Sequence, residues 1–170
     1  MQKGAIKGAD VSTIDPRSFR NVLGRFATGV GVVLVEGEDG PQGMTVNSFT
    51  SLSLEPPLVL FCARNGSVTA ERIREKKVFS INILTESQEA VSRYFAGARD
   101  VEPGAEWRWH EGAPYVDGAN ASLICRLAET YPGGDHTIVI GEVIAIETPS
   151  QPAEPLLYYC GRYRRLPAEA

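Results

Sequence analysis

The densest group of small polar side chains lies between Met44 and Ser53. It supplies several hydroxyls and one amide: Thr45, Asn47, Ser48, Thr50, Ser51 and Ser53. Short polar side chains let a ligand approach the backbone closely and offer it neutral hydrogen-bond donors and acceptors. The alternative is a solvent-exposed edge strand whose Ser and Thr side chains face water. Composition alone leaves both interpretations open.

A second candidate segment, Arg64-Asn65-Gly66-Ser67-Val68-Thr69, precedes a predicted short helix. The N-terminus of a helix presents free N–H groups and the positive end of the helix dipole, which attract phosphate. Arg64 could add a charge-assisted hydrogen bond to the same anion. The alternative is ordinary N-capping of the helix by Ser67 or Thr69.

A third candidate is Gly133-Gly134-Asp135-His136-Thr137, at the start of a predicted strand. Its two glycines permit close approach to the backbone. Asp135 could orient the imidazole of His136 through a hydrogen bond. The alternative is a hairpin turn that contains a histidine.

Several catalytic classes are not expected from this sequence. It has two histidines, His110 and His136, and neither has a metal-ligating partner at local spacing. No CxxC, HExxH or Walker A motif is present, no GxGxxG follows a predicted strand, and there is no GxSxG elbow. We therefore expect no metal site, no serine hydrolase and no Rossmann nucleotide site.

The elements that must position these residues are mostly strands. Asp15-Pro16 starts a predicted helix with apolar residues at helical spacing, which Gly29 ends. Two further helices are predicted over 68–76 and, from a capping box, over 85–95. Residues 97–114 are predicted to be irregular. Strands are predicted over 30–35, within 44–54, and over 58–63, 78–84, 121–129, 137–146 and 156–164.

Six or seven strands with few, short helices do not form a regular βαβ alternation. The pattern predicts a mainly β fold with peripheral helices, as a closed or split antiparallel barrel. The length of 170 residues favours one domain over 15–170, preceded by a flexible extension over 1–14.

Charge and composition limit the binding partners and the cellular compartment that are expected for this protein. The net charge is −4 and no basic block is present, so nucleic-acid binding is not expected. No apolar run is long enough for a membrane helix, and no signal-peptide core precedes Asp15. The three cysteines are widely spaced, which predicts reduced thiols and a cytoplasmic protein.

The order of these segments resembles the short-chain flavin reductase family, the reductase components of two-component flavin-dependent monooxygenases. The resemblance runs from about residue 15 to residue 166. The motifs that carry it are RFATGV at 25–30, GMTVNSF at 43–49, SLSLEPPL at 51–58, VFSINIL at 78–84, FAG at 95–97, GDHT at 134–137, GEV at 141–143 and PLLYY at 155–159.

This resemblance implies a flavin-binding split β-barrel, built as a homodimer with flavin sites near the subunit interface. It implies an enzyme that uses NADH or NADPH to reduce FMN or FAD and then releases the reduced flavin to a monooxygenase. Nicotinamide and flavin carry out the hydride transfer themselves, so a site rich in Ser, Thr and Asn suits this chemistry.

The resemblance also implies roles for individual residues. Thr45, Val46, Asn47 and Ser48 would line the isoalloxazine edge, and Ser51 and Ser53 would continue toward the ribityl chain and phosphate. Arg64, Ser67 and Thr69 would lie near the phosphate. Asp135 and His136 would lie beside the nicotinamide nucleotide, with His136 as an orienting or electrostatic catalytic group.

One position departs from the family pattern: Cys160 stands where many relatives carry a basic or polar residue. Two other functions remain open on the same barrel. One is a flavoprotein that reduces ferric complexes or another acceptor, and the other is a flavin-binding protein without enzymatic activity. The sequence does not distinguish FMN from FAD, or NADH from NADPH.

Overall fold

A computed structural model of the chain describes residues 14–98, 100–151 and 153–167. The predicted extension over 1–14 lies outside these residues apart from Ile14. The helices are α1 (Pro16–Leu23), α2 (Val68–Lys76) and α3 (Glu89–Phe95), and a 3₁₀ turn at Glu86–Gln88 leads into α3. Among the described residues, none of these helices combines the length and the apolar character needed to cross a bilayer.

Twelve strands account for about half of the part of the chain that the structure describes, so the fold is mainly β with few helices, as predicted. In chain order they are β1 (Thr28–Gly29), β2 (Gly31–Glu36), β3 (Pro41–Val46), β4 (Thr50–Leu54), β5 (Pro57–Arg64), β6 (Val78–Ile83), β7 (Trp107–His110), β8 (Ala113–Val116), β9 (Ala121–Gly133), β10 (His136–Glu147), β11 (Leu157–Tyr159) and β12 (Arg162–Arg164).

Seven of the strands form one antiparallel sheet in the order β3-β2-β6-β9-β10-β5-β4. Its two edge strands, β3 and β4, are consecutive in the chain and are separated only by residues 47–49. Two small sheets accompany it, β1-β11-β12 and the hairpin β7-β8.

The central strands form the core of the molecule. In β2 the side chains of Val32, Val33, Leu34 and Val35 are fully buried, because helices or other strands cover both faces of this strand. Phe61 on β5 and Phe79 on β6 pack edge to face, with ring centroids 5.8 Å apart. Each such buried apolar side chain contributes about 1.5–3 kcal/mol to folding, which makes these strands a rigid base for the loops.

Helix α1 is shorter than the sequence predicts. Asp15 caps it as expected by accepting a hydrogen bond from the Ser18 N–H, but the helix ends at Leu23 and not near Gly29. Thr28 and Gly29 pair instead with β11. Sheet pairing has therefore overridden the helical spacing of the apolar residues in this segment.

The strands outnumber the six or seven predicted, because two short hairpins, strand β1 and the separation of β3 from β4 were not predicted. Residues 97–114, predicted to be irregular, contain β7 and the start of β8, and the single strand predicted over 156–164 is the hairpin β11-β12. Their two-residue turns are Glu111-Gly112 and Cys160-Gly161, with positive φ at both positions. That backbone suits a hairpin, but neither turn contains the Asn-Gly or Asp-Gly pair that usually signals one.

Candidate active site

A cleft of about 720 Å³ lies between α1, the β3–β4 link, the start of β10 and the β11–β12 turn. Its volume falls in the range typical of small-molecule sites. Two of the predicted site residues, Asn47 and His136, contribute to its lining, although they are far apart in the chain. The remaining lining residues are Arg20, Asn21, Leu23, Gly24, Phe26, Tyr158, Cys160 and Gly161.

A smaller cavity of about 170 Å³ shares Asn47 and Tyr158 with the cleft. Thr45 and Val46 line this cavity together with Val30, Ala96 and Tyr163. The Thr45 hydroxyl donates to the Ser92 carbonyl oxygen at 2.6 Å, which ties the end of β3 to α3. The predicted run 45–47 therefore borders one continuous group of cavities.

Asn47 is held at the point where the chain passes from one edge of the large sheet to the other. Its neighbour Ser48 binds both backbone groups of Cys62 on β5: its Oγ accepts from the Cys62 N–H at 3.0 Å and donates to the Cys62 carbonyl at 3.3 Å. The Ser48 hydroxyl is thus used to anchor the link that carries Asn47.

His136 follows the two-residue turn Gly134-Asp135 between the long strands β9 and β10. Gly134 has φ +73°, and glycine is favoured at this first turn position. His136 Nδ1 lies 2.8 Å from Asp135 Oδ1. The hydrogen bond from His136 lowers the pKa of the Asp135 carboxyl below its ordinary value, and the charge of the His136 imidazole lowers it further. Asp135 is therefore ionised at neutral pH and fixes one ring nitrogen of His136.

Arg64 is the residue of β5 that pairs with His136 of β10, so the two lie side by side across the ladder. Its guanidinium is solvent exposed and contributes to the lowered pKa of Asp135. An exposed guanidinium beside His136, which lines the cleft, is available to an anionic ligand.

Ser51 and Ser53 lie on the edge strand β4, whose residues are mostly exposed. Ser53 pairs with Leu58, six residues along β5 from Arg64. At about 3.3 Å per residue, Ser53 and Arg64 are roughly 20 Å apart. Within one subunit, a single phosphate therefore does not contact both residues.

Ser67 and Thr69 have partners within the protein. Ser67 is the N-cap of α2, and its Oγ accepts a hydrogen bond from the Ala70 N–H at 3.3 Å. Thr69 is buried, and its hydroxyl donates to the Gly43 carbonyl at 3.1 Å. The Ser67 hydroxyl therefore caps α2, and the Thr69 hydroxyl connects the helix to β3.

Sequence reasoning missed several residues of the cleft. Arg20 and Phe26 come from the segment around α1, and Tyr158 and Cys160 come from the hairpin β11-β12. Phe26 and Tyr158 belong to motifs that carried the family resemblance, which was the available signal. Arg20 gave none, because a single arginine on a short helix is ordinarily a solvated surface residue.

A second groove, of about 730 Å³, is bounded by the β2–β3 turn, α3 and Trp107. It contains none of the predicted site residues. Its cation, Arg72, is already paired with Glu38 at 2.8 Å. In residues 14–98, 100–151 and 153–167, no cluster of His, Cys, Asp or Glu could hold a metal ion.

The model of the flavin reductase like domain matches residues 23–167, which is most of the chain. The chain belongs to this family. It is 42% identical over 159 residues to the reductase subunit HsaB of a flavin-dependent monooxygenase from Mycobacterium tuberculosis, covering 92% of this chain and 85% of that protein. It is also 42% identical over 169 residues to an NADH-dependent FAD reductase from Streptomyces globisporus, covering 92% and 91% of the two chains.

Solved structures of flavin reductases have the same fold. Flavin reductase PheA2 in its native state superimposes with a TM-score of 0.84 at 37% identity, covering 91% of this chain and 99% of that one. The Streptomyces globisporus NADH:FAD oxidoreductase SgcE6, in complex with NAD and FAD fragments, gives a TM-score of 0.82 at 42% identity, covering 92% and 98%.

Proposed function

We propose that this flavin reductase takes a hydride from NADH to reduce FMN or FAD and supplies the reduced flavin to a separate monooxygenase. The observation that carries the proposal is the cleft in which Asn47 meets His136, the two residues expected at the flavin and at the nicotinamide. Relatives named as NADH-dependent flavin and FAD reductases, and as reductase components of monooxygenases, support it.

The residues present in the cleft fit a flavin. The lining combines an aromatic ring, Tyr158, with the amide of Asn47 and contains one guanidinium, that of Arg20. Bound flavin and nicotinamide supply the hydride chemistry themselves. The task left to the chain is to bring two planar rings together and to stabilise negative charge with fixed polar groups. Few charges in the lining also suit a flavin that has to leave after each turnover.

The predicted residues divide into those that would contact the ligands and those that support the surrounding backbone. Thr45, Val46 and Asn47 would border the ring system, and Asp135 and His136 would orient the nicotinamide. Arg64 would contact a phosphate. Ser48, Ser67 and Thr69 hold the surrounding backbone, and Ser51 and Ser53 extend the wall along β4.

The proposal includes a split barrel formed by the seven-stranded sheet. Its two edges, β3 and β4, are joined by residues 47–49 alone. Four peptide units span at most about 14 Å, so the sheet has to curl until its edges approach each other. Asn47 would then lie at the seam of the barrel. The family match over 23–167 supports a single domain over 15–170.

A homodimer is the assembly that we propose. Helix α1 has no buried residue, and the apolar side chains Phe19, Val22, Leu23 and Phe26 are all more than half exposed. Contiguous exposed apolar surface marks an interaction site, and a twofold dimer is the commonest way to cover it. Leu23 and Phe26 also line the cleft, so the second subunit would complete the site.

An anaerobic assay tests the reductase. The pure protein is mixed with NADH and free FMN or FAD, and the visible absorbance of oxidised flavin is followed. We expect rapid loss of absorbance with at least one flavin. Retained yellow colour without this loss would establish a flavin-binding protein without the activity. Reduction of a ferric complex without release of free reduced flavin would establish the other alternative, a ferric reductase.

A further inference from the structure

The side chain of Asn65 joins two segments that are 69 residues apart in the chain. Its Nδ2 donates to the Gly134 carbonyl at 3.0 Å, and its Oδ1 accepts from the Thr137 hydroxyl at 3.0 Å. Its backbone N–H donates to the Asp135 carbonyl, also at 3.0 Å. One residue therefore binds the turn before His136 and the residue after it.

These three contacts extend the β5–β10 ladder past its last strand pair. The register ends with Arg64 opposite His136, and Asn65 lies beyond it in the turn that leads to α2. The ladder with β5 holds β10 as far as His136, and the Gly134-Asp135 turn beyond it is free to move unless another contact holds it. Among the described residues, Asn65 provides the side chain that hydrogen-bonds to this turn from outside the hairpin.

We propose that Asn65 is a positioning residue that sets the place of the Asp135–His136 pair in the cleft. This inference rests on the proposed function, which puts His136 at the nicotinamide. Asn65 itself does not line the cleft. Its effect on the reaction is therefore indirect and passes through the backbone at Gly134 and the side chain of Thr137.

The first measurement needs no turnover. The chain has two histidines, so NMR spectra of the imidazole groups are simple, and a His136→Ala variant assigns them. In wild type we expect one sharp set of His136 signals. In Asn65→Ala these signals should shift and broaden, while the His110 signals stay unchanged as an internal control.

The second measurement is kinetic. Because a hydrogen bond typically contributes about 0.5–1.5 kcal/mol and about 1.4 kcal/mol is tenfold, we expect Asn65→Ala to raise the KM for NADH about 2- to 12-fold. The flavin dissociation constant and kcat should change less than about twofold. Thr137→Val keeps the side-chain shape and the preference for a strand but removes the hydroxyl, and should reproduce part of the effect. Thr137→Ser retains the hydroxyl and should keep the KM for NADH at the wild-type value. Asn120→Ala is the matched control, since the Asn120 amide accepts a backbone N–H bond from Ala153 at the opposite end of β9.

Two results separate this inference from the proposed function. If His136→Ala raises the KM for NADH but Asn65→Ala changes neither that KM nor the His136 signals, the positioning role is overturned and the nicotinamide site stands. A lower melting temperature in Asn65→Ala without those changes has the same meaning. If His136→Ala itself leaves the use of NADH unaltered, the nicotinamide site is overturned and the positioning role with it.

Discussion

At the scale of single residues, His136 carries the most specific expectation. His136→Ala should slow the NADH-dependent reduction step about 5- to 30-fold, because an orienting polar contact contributes about 1–2 kcal/mol and about 1.4 kcal/mol is tenfold in rate. Flavin affinity should change much less, since the residues proposed to border the flavin ring, Thr45, Val46 and Asn47, lie on a separate segment. Rapid-mixing measurements of flavin reduction at several NADH concentrations give both quantities.

The chain offers a matched control for this variant. His110 Nδ1 lies 2.9 Å from Glu147 Oε1, at the other end of β10, in nearly the same geometry as His136 with Asp135. His110→Ala should leave the reduction rate unchanged. Equal effects of the two variants would contradict a special role for His136. A complete loss of activity in His136→Ala would instead indicate an obligatory proton transfer.

A variant of Asn47 tests whether flavin binds in the cleft or in the groove beside Trp107. Asn47→Leu removes the amide and adds bulk at the seam where the cleft meets the smaller cavity, so the flavin dissociation constant should rise at least tenfold. Gln42→Leu makes a similar change on the preceding strand, within the groove beside Trp107, and should not affect binding. Titration of flavin fluorescence measures both constants. If Gln42→Leu weakened flavin binding and Asn47→Leu did not, the flavin would be assigned to the groove beside Trp107.

The cysteines should differ in reactivity because their surroundings differ. Burial raises the pKa of the Cys125 thiol to about 12, so it stays protonated and unreactive at neutral pH. Cys160 is exposed and lines the cleft. We expect a thiol-reactive dye at neutral pH to label Cys160 first and Cys125 only after unfolding, with mass spectrometry of peptides as the readout. Bound flavin should slow the labelling of Cys160.

The sequence singled out two residues that line the cleft, Asn47 and His136, but left open whether either binds a ligand. An edge strand and a hairpin turn would contain the same residue types. Ser48 and Thr69 were not distinguishable from ligand-binding hydroxyls. Their backbone partners, Cys62 and Gly43, become their neighbours only when β3, β5 and α2 pack together.

At the scale of secondary-structure elements, the long strand β10 depends on a glycine at a crowded position. A Cβ added at Gly141 would lie 2.7 Å from Phe79 Cζ and 3.0 Å from Cys125 Cβ, both in the buried core. Gly141→Ala should therefore destabilise the protein by about 1–3 kcal/mol. Denaturant unfolding monitored by circular dichroism measures this change.

Gly133 on the neighbouring strand provides the comparison. A Cβ there would lie no closer than 3.4 Å to any heavy atom, an ordinary contact distance. Gly133→Ala should change stability by less than about 0.5 kcal/mol. Equal losses in the two variants would mean that glycine flexibility, and not the contact with Phe79, determines the effect.

The elements that the sequence predicted well are those with strong local signals. Helix α2 has the bounds predicted for it, and the capping box at Thr85 is formed. The hairpins β7–β8 and β11–β12 were missed because Glu111 and Cys160 adopt positive φ in their turns, which their residue types disfavour. The pairing of the flanking strands imposes these turns, and this pairing cannot be predicted from the residue types in the turns.

At the scale of the whole molecule, the cleft and the exposed apolar face adjoin each other. Leu23 and Phe26 belong to both, and Phe26 is 78% exposed. A large aromatic side chain so exposed beside a ligand cleft is costly to leave in water. The arrangement suggests that one surface serves for assembly and for binding, so that loss of the dimer would also weaken the site.

Val22→Glu tests both consequences, because Val22 belongs to the exposed apolar face but does not line the cleft. A charge on the apolar face should be too costly to bury at the interface, so light scattering should give the mass of one 18.4 kDa chain where wild type gives twice that mass. Flavin affinity should fall with the dimer, by at least about tenfold, since the partner would no longer close the cleft. Val68→Glu is the control. Val68 is 62% exposed at the start of α2, where the helix dipole stabilises a carboxylate. This variant should stay dimeric. A Val22→Glu protein that remains dimeric would place the interface elsewhere. A monomer that binds flavin as tightly as wild type would show that each subunit holds a complete site.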